Sequence, residues 1–208
     1  MERSPRRVGI LLSGRGSNMV ALLDAMADGS IDAQPAVVIS NRPDAGGLEI
    51  AAARGIATAV VDHKQVKPRD RHEQELIRIL KEHAVDLVCL AGYMRLLTPR
   101  MVGAFRGRIL NIHPSLLPAF PGLHAQRQAL DHGASFAGCT VHLVDEKCDH
   151  GPIVLQAVVP IQPDDTEETL SARILEQEHR IYPEALALLA AGRLRVEGRR
   201  VRILAATH

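Results

Sequence analysis

Aromatic residues are nearly absent from this sequence. Its 208 residues include three Phe, two Tyr and no Trp. A platform of stacked aromatics for single-stranded nucleic acid is therefore excluded. The core must come from Leu, Ile, Val and Ala. Cysteine is scarce too: Cys89, Cys139 and Cys148 form an odd set without C-x-x-C spacing. That excludes a disulfide framework and points to a reducing compartment. No surplus of one charge exists, since 25 Lys and Arg face 24 Asp and Glu for a net +1. Such a balance argues against a nucleic-acid partner. Long hydrophobic runs are also missing. The apolar segment that follows Arg7 stops at Ser13, too short for a signal or a membrane span. The expectation is a cytoplasmic protein with no membrane and no nucleic acid among its partners, either monomer or homodimer.

What is present is an ordinary globular composition, 46% hydrophobic and 24% charged. A chain of this size buries roughly 70% of its unfolded surface, enough for one core without a staple. Short apolar strands are expected at 7–12, 36–40, 57–61 and 86–92. Between them, residues 19–26, 48–54 and 71–83 repeat apolar positions at helical spacing. Near-continuous apolar strands alternating with helices predict an α/β fold with a doubly wound, mostly parallel, Rossmann-like sheet and helices on both faces.

Beyond Gly92 the pattern changes. A short strand at 109–112 runs into a proline-rich loop over 114–124. Two β-rich runs, 139–144 and 153–161, flank a polar segment and predict antiparallel strands in the second half. Asp165 with Glu168 reads as a capping box opening a helix to Tyr182, which resumes from Ala185 to Ala191. A hairpin over 194–201 follows. With no linker visible, residues 1–208 read as a single domain. Its two halves are a nucleotide- or phosphate-binding part at 1–92 and a catalytic part at 93–208.

The turn Ser13-Gly14-Arg15-Gly16-Ser17-Asn18 joins the first strand to the first helix. Its glycines permit close approach of an anion, Ser17 is a candidate cap, and the free N–H groups suit a phosphate. A tight turn without a ligand is the bland alternative. A dinucleotide fingerprint needs a third glycine where Met19 stands. Arg42 after the second strand leaves open a reductase that uses a 2′-phosphorylated nicotinamide cofactor.

Asn111 and His113 alternate along a strand and so share a face, at the carboxyl edge where open α/β sheets hold ligands. An amide beside an imidazole stabilises an oxyanion and moves a proton. A carboxylate near an imidazole supports its charge and fixes its orientation. Asp149 is available for that, although a plain turn residue is equally consistent with its surroundings.

The string NIHPSLLPAFPGLHAQRQAL at 111–130 resembles the signature of the folate-dependent formyltransferases. The similarity extends to LLSGRGSN at 11–18, AGYMRLLTP at 91–99, TVHLVDEKCDHGP at 140–152 and QEHRIYP at 177–183. The branch that formylates a glycinamide ribonucleotide is the best fit. The resemblance implies transfer of a formyl group from 10-formyltetrahydrofolate, a co-substrate, to the amine of 5-phosphoribosylglycinamide in purine biosynthesis. It implies catalytic roles for Asn111, His113 and Asp149. By the same matching, Gly16, Ser17 and Asn18 hold the substrate phosphate, Glu178 contacts the ribonucleotide, and Arg69, Met94, Arg95, Leu96, Leu97 and Asn111 form the folate site. No metal is implied. Glu178 also falls on the apolar helix face of Leu170, Ile174 and Ile181, where a carboxylate needs a partner or ligand.

Two departures stand out. Asp149-His150-Gly151 replaces the family's two glycines after the aspartate, so His150 adds a side chain to that loop. Arg15 occupies a variable turn position. His113, His124, His132, His142 and His150 cluster in sequence but fit no zinc spacing, and His142 reads as a pocket wall. Cys148 reads as an incidental thiol, and the basic end 193–202 as a solvated strand face. The competing functions are a 10-formyltetrahydrofolate hydrolase, a methionyl-tRNA formyltransferase and a non-catalytic nucleotide-binding module. The first two are expected to carry a further regulatory or nucleic-acid-binding domain.

Overall fold

The computed structural model describes residues 4–205. Its chain order is β1 (Arg6–Leu12), α1 (Ser17–Ala27), β2 (Ala33–Ser40), α2 (Gly46–Ala53), β3 (Thr58–Val60), α3 (Arg69–Glu82) and β4 (Leu87–Leu90). Then come α4 (Pro99–Ala104), β5 (Ile109–His113), α5 (Ala125–Asp131), β6 (Phe136–Leu143), β7 (Ile153–Pro160), α6 (Glu167–Ala190), β8 (Leu194–Glu197) and β9 (Arg200–Ile203). Seven strands form one sheet in the order β3-β2-β1-β4-β5-β6-β7. The pairs from β3 to β5 are parallel, and the β5–β6 and β6–β7 pairs are antiparallel. The expected doubly wound sheet with an antiparallel second half is therefore present. The sheet crosses from one half of the chain to the other through β4 and β5.

The pleat explains why the strands are apolar throughout. Ile10 and Leu12 pack with α1, α2 and α6, whereas Leu11 between them packs with Leu76 and Leu80 of α3. Both faces of a parallel sheet are thus covered, and alternation of polar with apolar residues disappears. Tyr182 of α6 is fully buried, and its hydroxyl reaches the carbonyls of Leu90 and Leu110 at 3.0 and 3.1 Å. That contact ties α6 across the two central strands beneath the site.

Several local expectations are corrected. Helices α4 and α5 are too short for periodicity to reveal. No side chain caps α1: Gly16 is its N-cap with φ 81°, so Ser17 becomes the first helical residue. The capping box of α6 joins Thr166 and Thr169 rather than Asp165 and Glu168. Asp165 instead pairs with Arg173 at 2.5 Å. Pro183 lies inside α6 without ending it, so the two expected helical runs are one helix. No helix among the described residues is long and apolar enough to cross a membrane.

Candidate active site

Strands β1 and β4 are neighbours whose following connections diverge, which opens a crevice at their carboxyl ends. A cavity of about 510 Å³ lies there, walled by the 13–18 turn, Asn41, Arg42, His63 and the start of the segment after β4. Arg15, Arg42 and Arg95 line it, and no carboxylate does. Arg42 is paired with Asp44 at 2.7 Å. The turn is braced from both sides. Ser13 donates its hydroxyl to Asn41 Oδ1 at 2.5 Å and accepts the Met94 amide at 2.9 Å. Gly47 donates its amide to the Gly14 carbonyl at 3.1 Å. A Cβ on Gly16 would stand 3.0 Å from Gly47 Cα, so the starts of α1 and α2 touch through glycine. The uncapped first turn of α1 leaves backbone donors aimed at the cavity, the usual cradle for an anion.

Asn18 in that first turn donates its amide to Glu178 Oε2 at 2.7 Å. Glu178 is 6% exposed, and burial pushes its carboxyl up to about 7 against the opposing hydrogen bond from Asn18. Asn18 Oδ1 is buried with no hydrogen-bond partner among the described residues. An acceptor in that state is open to a donor from a water or a ligand.

After β4 the chain runs along the surface. Met94 and Leu96 are 66% and 56% exposed, an apolar pair presented to solvent. Two residues of α3 hold this segment from below. The Arg69 guanidinium donates to the Leu96 carbonyl, and Glu73, itself buried, accepts from the Thr98 amide at 2.7 Å and from the Thr98 hydroxyl. Glu73 has no signal in the sequence beyond a charged residue on a helix.

The third part of the site rests on the antiparallel ladder. Asn111 pairs with His142, and His113 with Thr140, across β5 and β6. Leu90 pairs with Asn111, so Asn111 is level with the last residue of β4 and His113 projects beyond it. Asp149 enters from the loop between β6 and β7. Its Oδ2 is 3.4 Å from His113 Nδ1, and its Oδ1 is 3.5 Å from Asn111 Nδ2. The Gly122 amide donates to the same Oδ2 at 2.8 Å.

Ring tautomers follow from partners. His113 Nε2 lies 2.9 Å from the Phe120 carbonyl and must carry a hydrogen, which leaves Nδ1 to exchange a proton beside Asp149. His142 Nδ1 lies 3.0 Å from the Leu143 carbonyl, so its Nε2 lone pair accepts from Asn111 Nδ2 at 3.1 Å. Burial lowers the His142 pKa and keeps that ring neutral. His142 is therefore more than a wall, because it fixes which way the Asn111 amide faces. Phe120 and Asp149 hold left-handed φ angles of 50° and 46°. Strained backbone thus sits on both sides of His113, as it does where a site is over-determined by its surroundings.

All of the sequence-derived residues fall in these three places. Asn111, His113 and Asp149 converge. Gly16, Ser17 and Asn18 share one turn, with Glu178 bonded to it. Arg69 reaches Leu96, while Met94 and Arg95 line the cavity that the turn shares.

The family model described as formyl transferase matches residues 6–186. The chain belongs to the formyl transferase family. Among curated members, it is 45% identical over 187 residues to the phosphoribosylglycinamide formyltransferase of Escherichia coli, covering 90% of this chain and 88% of that one. It is 52% identical to the trifunctional purine biosynthetic protein adenosine-3 of Drosophila pseudoobscura, over 91% of this chain. The match spans only 14% of that larger protein's length. Among solved members, glycinamide ribonucleotide transformylase 1 of Symbiobacterium toebii superposes with a TM-score of 0.96 at 55% identity, covering 98% of this chain and 96% of that one.

Proposed function

We propose that this chain transfers a formyl group from 10-formyltetrahydrofolate to the amine of 5-phosphoribosylglycinamide, in the cytoplasm and without a metal. The observation that carries this reading is the convergence of Asn111, His113 and Asp149 at the sheet edge, beside a phosphate-shaped glycine turn. The fit to the ribonucleotide rests on the first-turn amides at Gly16, Ser17 and Asn18 for its phosphate. The unpartnered Asn18 Oδ1 and Glu178 wait for its hydroxyl or amine donors. The fit to the folate rests on the exposed Met94 and Leu96, with Leu97, Arg95 and Arg69 around them.

The folate supplies a formyl group already activated on its N10. Asn111 donates to the negative charge that develops on the formyl oxygen, exchanging its weak 3.5 Å contact with Asp149 for that stronger one. A donor placed this way is worth roughly 3 kcal/mol. His113 takes the proton from the attacking amine at Nδ1 and returns it to the departing nitrogen. Asp149 holds the imidazolium in place between the two transfers.

The test is formyl transfer followed spectroscopically, with wild-type protein, His113→Ala and a blank without acceptor. Acceptor-dependent turnover that collapses in His113→Ala supports the reading. Turnover in the blank replaces it with hydrolysis. Folded protein silent in every assay replaces it with a binding module.

A further inference from the structure

The loop that carries Asp149 is pinned at its two ends, where Val144 donates its amide to the Ile109 carbonyl and Leu143 donates to the Pro152 carbonyl, both at 2.9 Å. At Gly151 a Cβ would stand 1.7 Å from the Leu143 carbonyl, so the backbone there is pressed against β6. Glu146, Lys147, Cys148 and His150 are exposed, and Asp149 between them takes a left-handed φ. The Gly122 amide holds the Asp149 carboxylate beside His113, and the main chain that follows has a contact of its own. The turn of the terminal hairpin reaches it. Arg199, between β8 and β9, donates from Nη2 to the His150 carbonyl at 2.8 Å and from Nη1 to His150 Nε2 at 2.9 Å. The same Nη1 lies 3.3 Å from His150 Nδ1, which is itself 2.7 Å from Asp145 Oδ2. The hairpin is itself anchored. Leu194 and Val201 pack on the core, the Leu204 amide donates to the Arg193 carbonyl at 2.8 Å, and Arg193 Nε donates to the Leu204 carbonyl at 2.7 Å.

We infer that Arg199 is a positioning residue for formyl transfer: through His150 it clamps the loop whose next residue, Asp149, orients His113. The inference rests on the function proposed above. Arg199 touches the residue after the carboxylate by two donors, one of them to main chain, so its loss frees the backbone and not merely a surface charge. Its neighbour on the hairpin, Arg195, faces Glu197 at 3.3 Å and has no part in the loop.

The experiment uses the full chain, with Arg199→Ala, Arg199→Lys, His150→Ala, the Arg199→Ala/His150→Ala double variant, and Arg195→Ala as control. Arg199→Ala is expected to lower kcat about tenfold, since a small misplacement of a catalytic group is costly. KM for the ribonucleotide stays within about twofold, as expected when only an orienting contact is lost. Arg199→Lys, which keeps one donor of the fork, should fall between, and ethylguanidinium added to Arg199→Ala should restore turnover. The double variant should lose no more than the worse single one, the mark of coupled residues. Arg195→Ala should match wild type. Amide hydrogen exchange at Cys148–Gly151 should quicken in Arg199→Ala, and this is read without reference to any reaction. Unchanged kcat, unchanged loop exchange, or losses in kcat, KM and melting temperature together without rescue would each overturn the inference. If wild type forms no product yet loop exchange quickens, the formyl-transfer reading falls while the clamp stands.

Discussion

Around the start of α1 the cavity wall includes main chain, Gly14, Gly16 and the first amides of the helix, with Gly16 pressed against Gly47 of α2. Around the end of β5 it is side chain: an amide, an imidazole and a carboxylate, brought together by an antiparallel ladder and two left-handed residues. The parallel strands end in short turns whose shape is set by glycine, and such turns present N–H groups by default. The antiparallel pair instead puts Asn111 opposite His142, so a side chain can be aimed by a neighbour across the ladder. Binding by backbone tolerates changes of side chain but not an added Cβ. Catalysis by side chains has the opposite sensitivity.

The sharpest test of that contrast is His113→Ala. It removes the imidazole proposed to carry the proton and leaves the glycine turn intact. Turnover should fall about a thousandfold, as for loss of a general acid–base, while KM for the ribonucleotide stays within about twofold. Steady-state kinetics with varied ribonucleotide decide it. A raised KM with unchanged kcat would make the trio part of the binding surface and erase the distinction.

Glu178 is the buried carboxylate behind the backbone half, bonded to Asn18. Burial pushes its carboxyl up to about 7 in the folded protein, from the ordinary 4.5. The raised value means that its contribution to stability is fully present below about pH 4.5 and is lost as pH rises through 7. The shift corresponds to about 3 kcal/mol. Glu178→Gln keeps an acceptor for Asn18 Nδ2 but cannot ionise. Its urea midpoint should therefore be flatter with pH than that of wild type, with the gap opening between about pH 4.5 and 7, the two pKa values. Parallel curves for the two proteins would show that Glu178 is solvated.

This division also governs how much was legible beforehand. The parallel half announces itself through apolar strands and a glycine turn, both local signals. Asn111 and His113 were readable because alternation along a strand places them on one face. The meeting of Asp149 with them was not, since 36 positions separate it from His113 and no periodicity spans the loop. Resemblance supplied that pairing, and the structure brings the two side chains to 3.4 Å. Glu73, His142 and Arg199 stayed hidden for the same reason: each acts through a partner on another element. The capping residues were misread by one position because a left-handed Gly16, or a Thr166–Thr169 pair, outcompetes the nearest polar side chain.

A smaller effect is expected from Gly16→Ala. The φ of 81° costs an L-residue about 1–2 kcal/mol, and the new Cβ meets Gly47 Cα at 3.0 Å. The melting temperature should drop and KM for the ribonucleotide should rise, with kcat nearly preserved. A collapse of kcat at unchanged KM would mean that the turn and the trio are coupled rather than separately built.

Gly14→Ala separates shape from space within the same turn. Nothing lies within 4 Å of a Cβ placed there, and its φ is not left-handed. Folding stability should therefore stay within about 0.5 kcal/mol of wild type, the range of a surface change away from special geometry. The open space is not idle, however, because Gly14 lines the cavity. A methyl group entering it displaces ligand or water, so KM for the ribonucleotide should rise a few-fold at constant melting temperature. An unchanged KM would place the phosphate over Gly16 to Asn18 alone and shrink the backbone cradle to the first turn of α1.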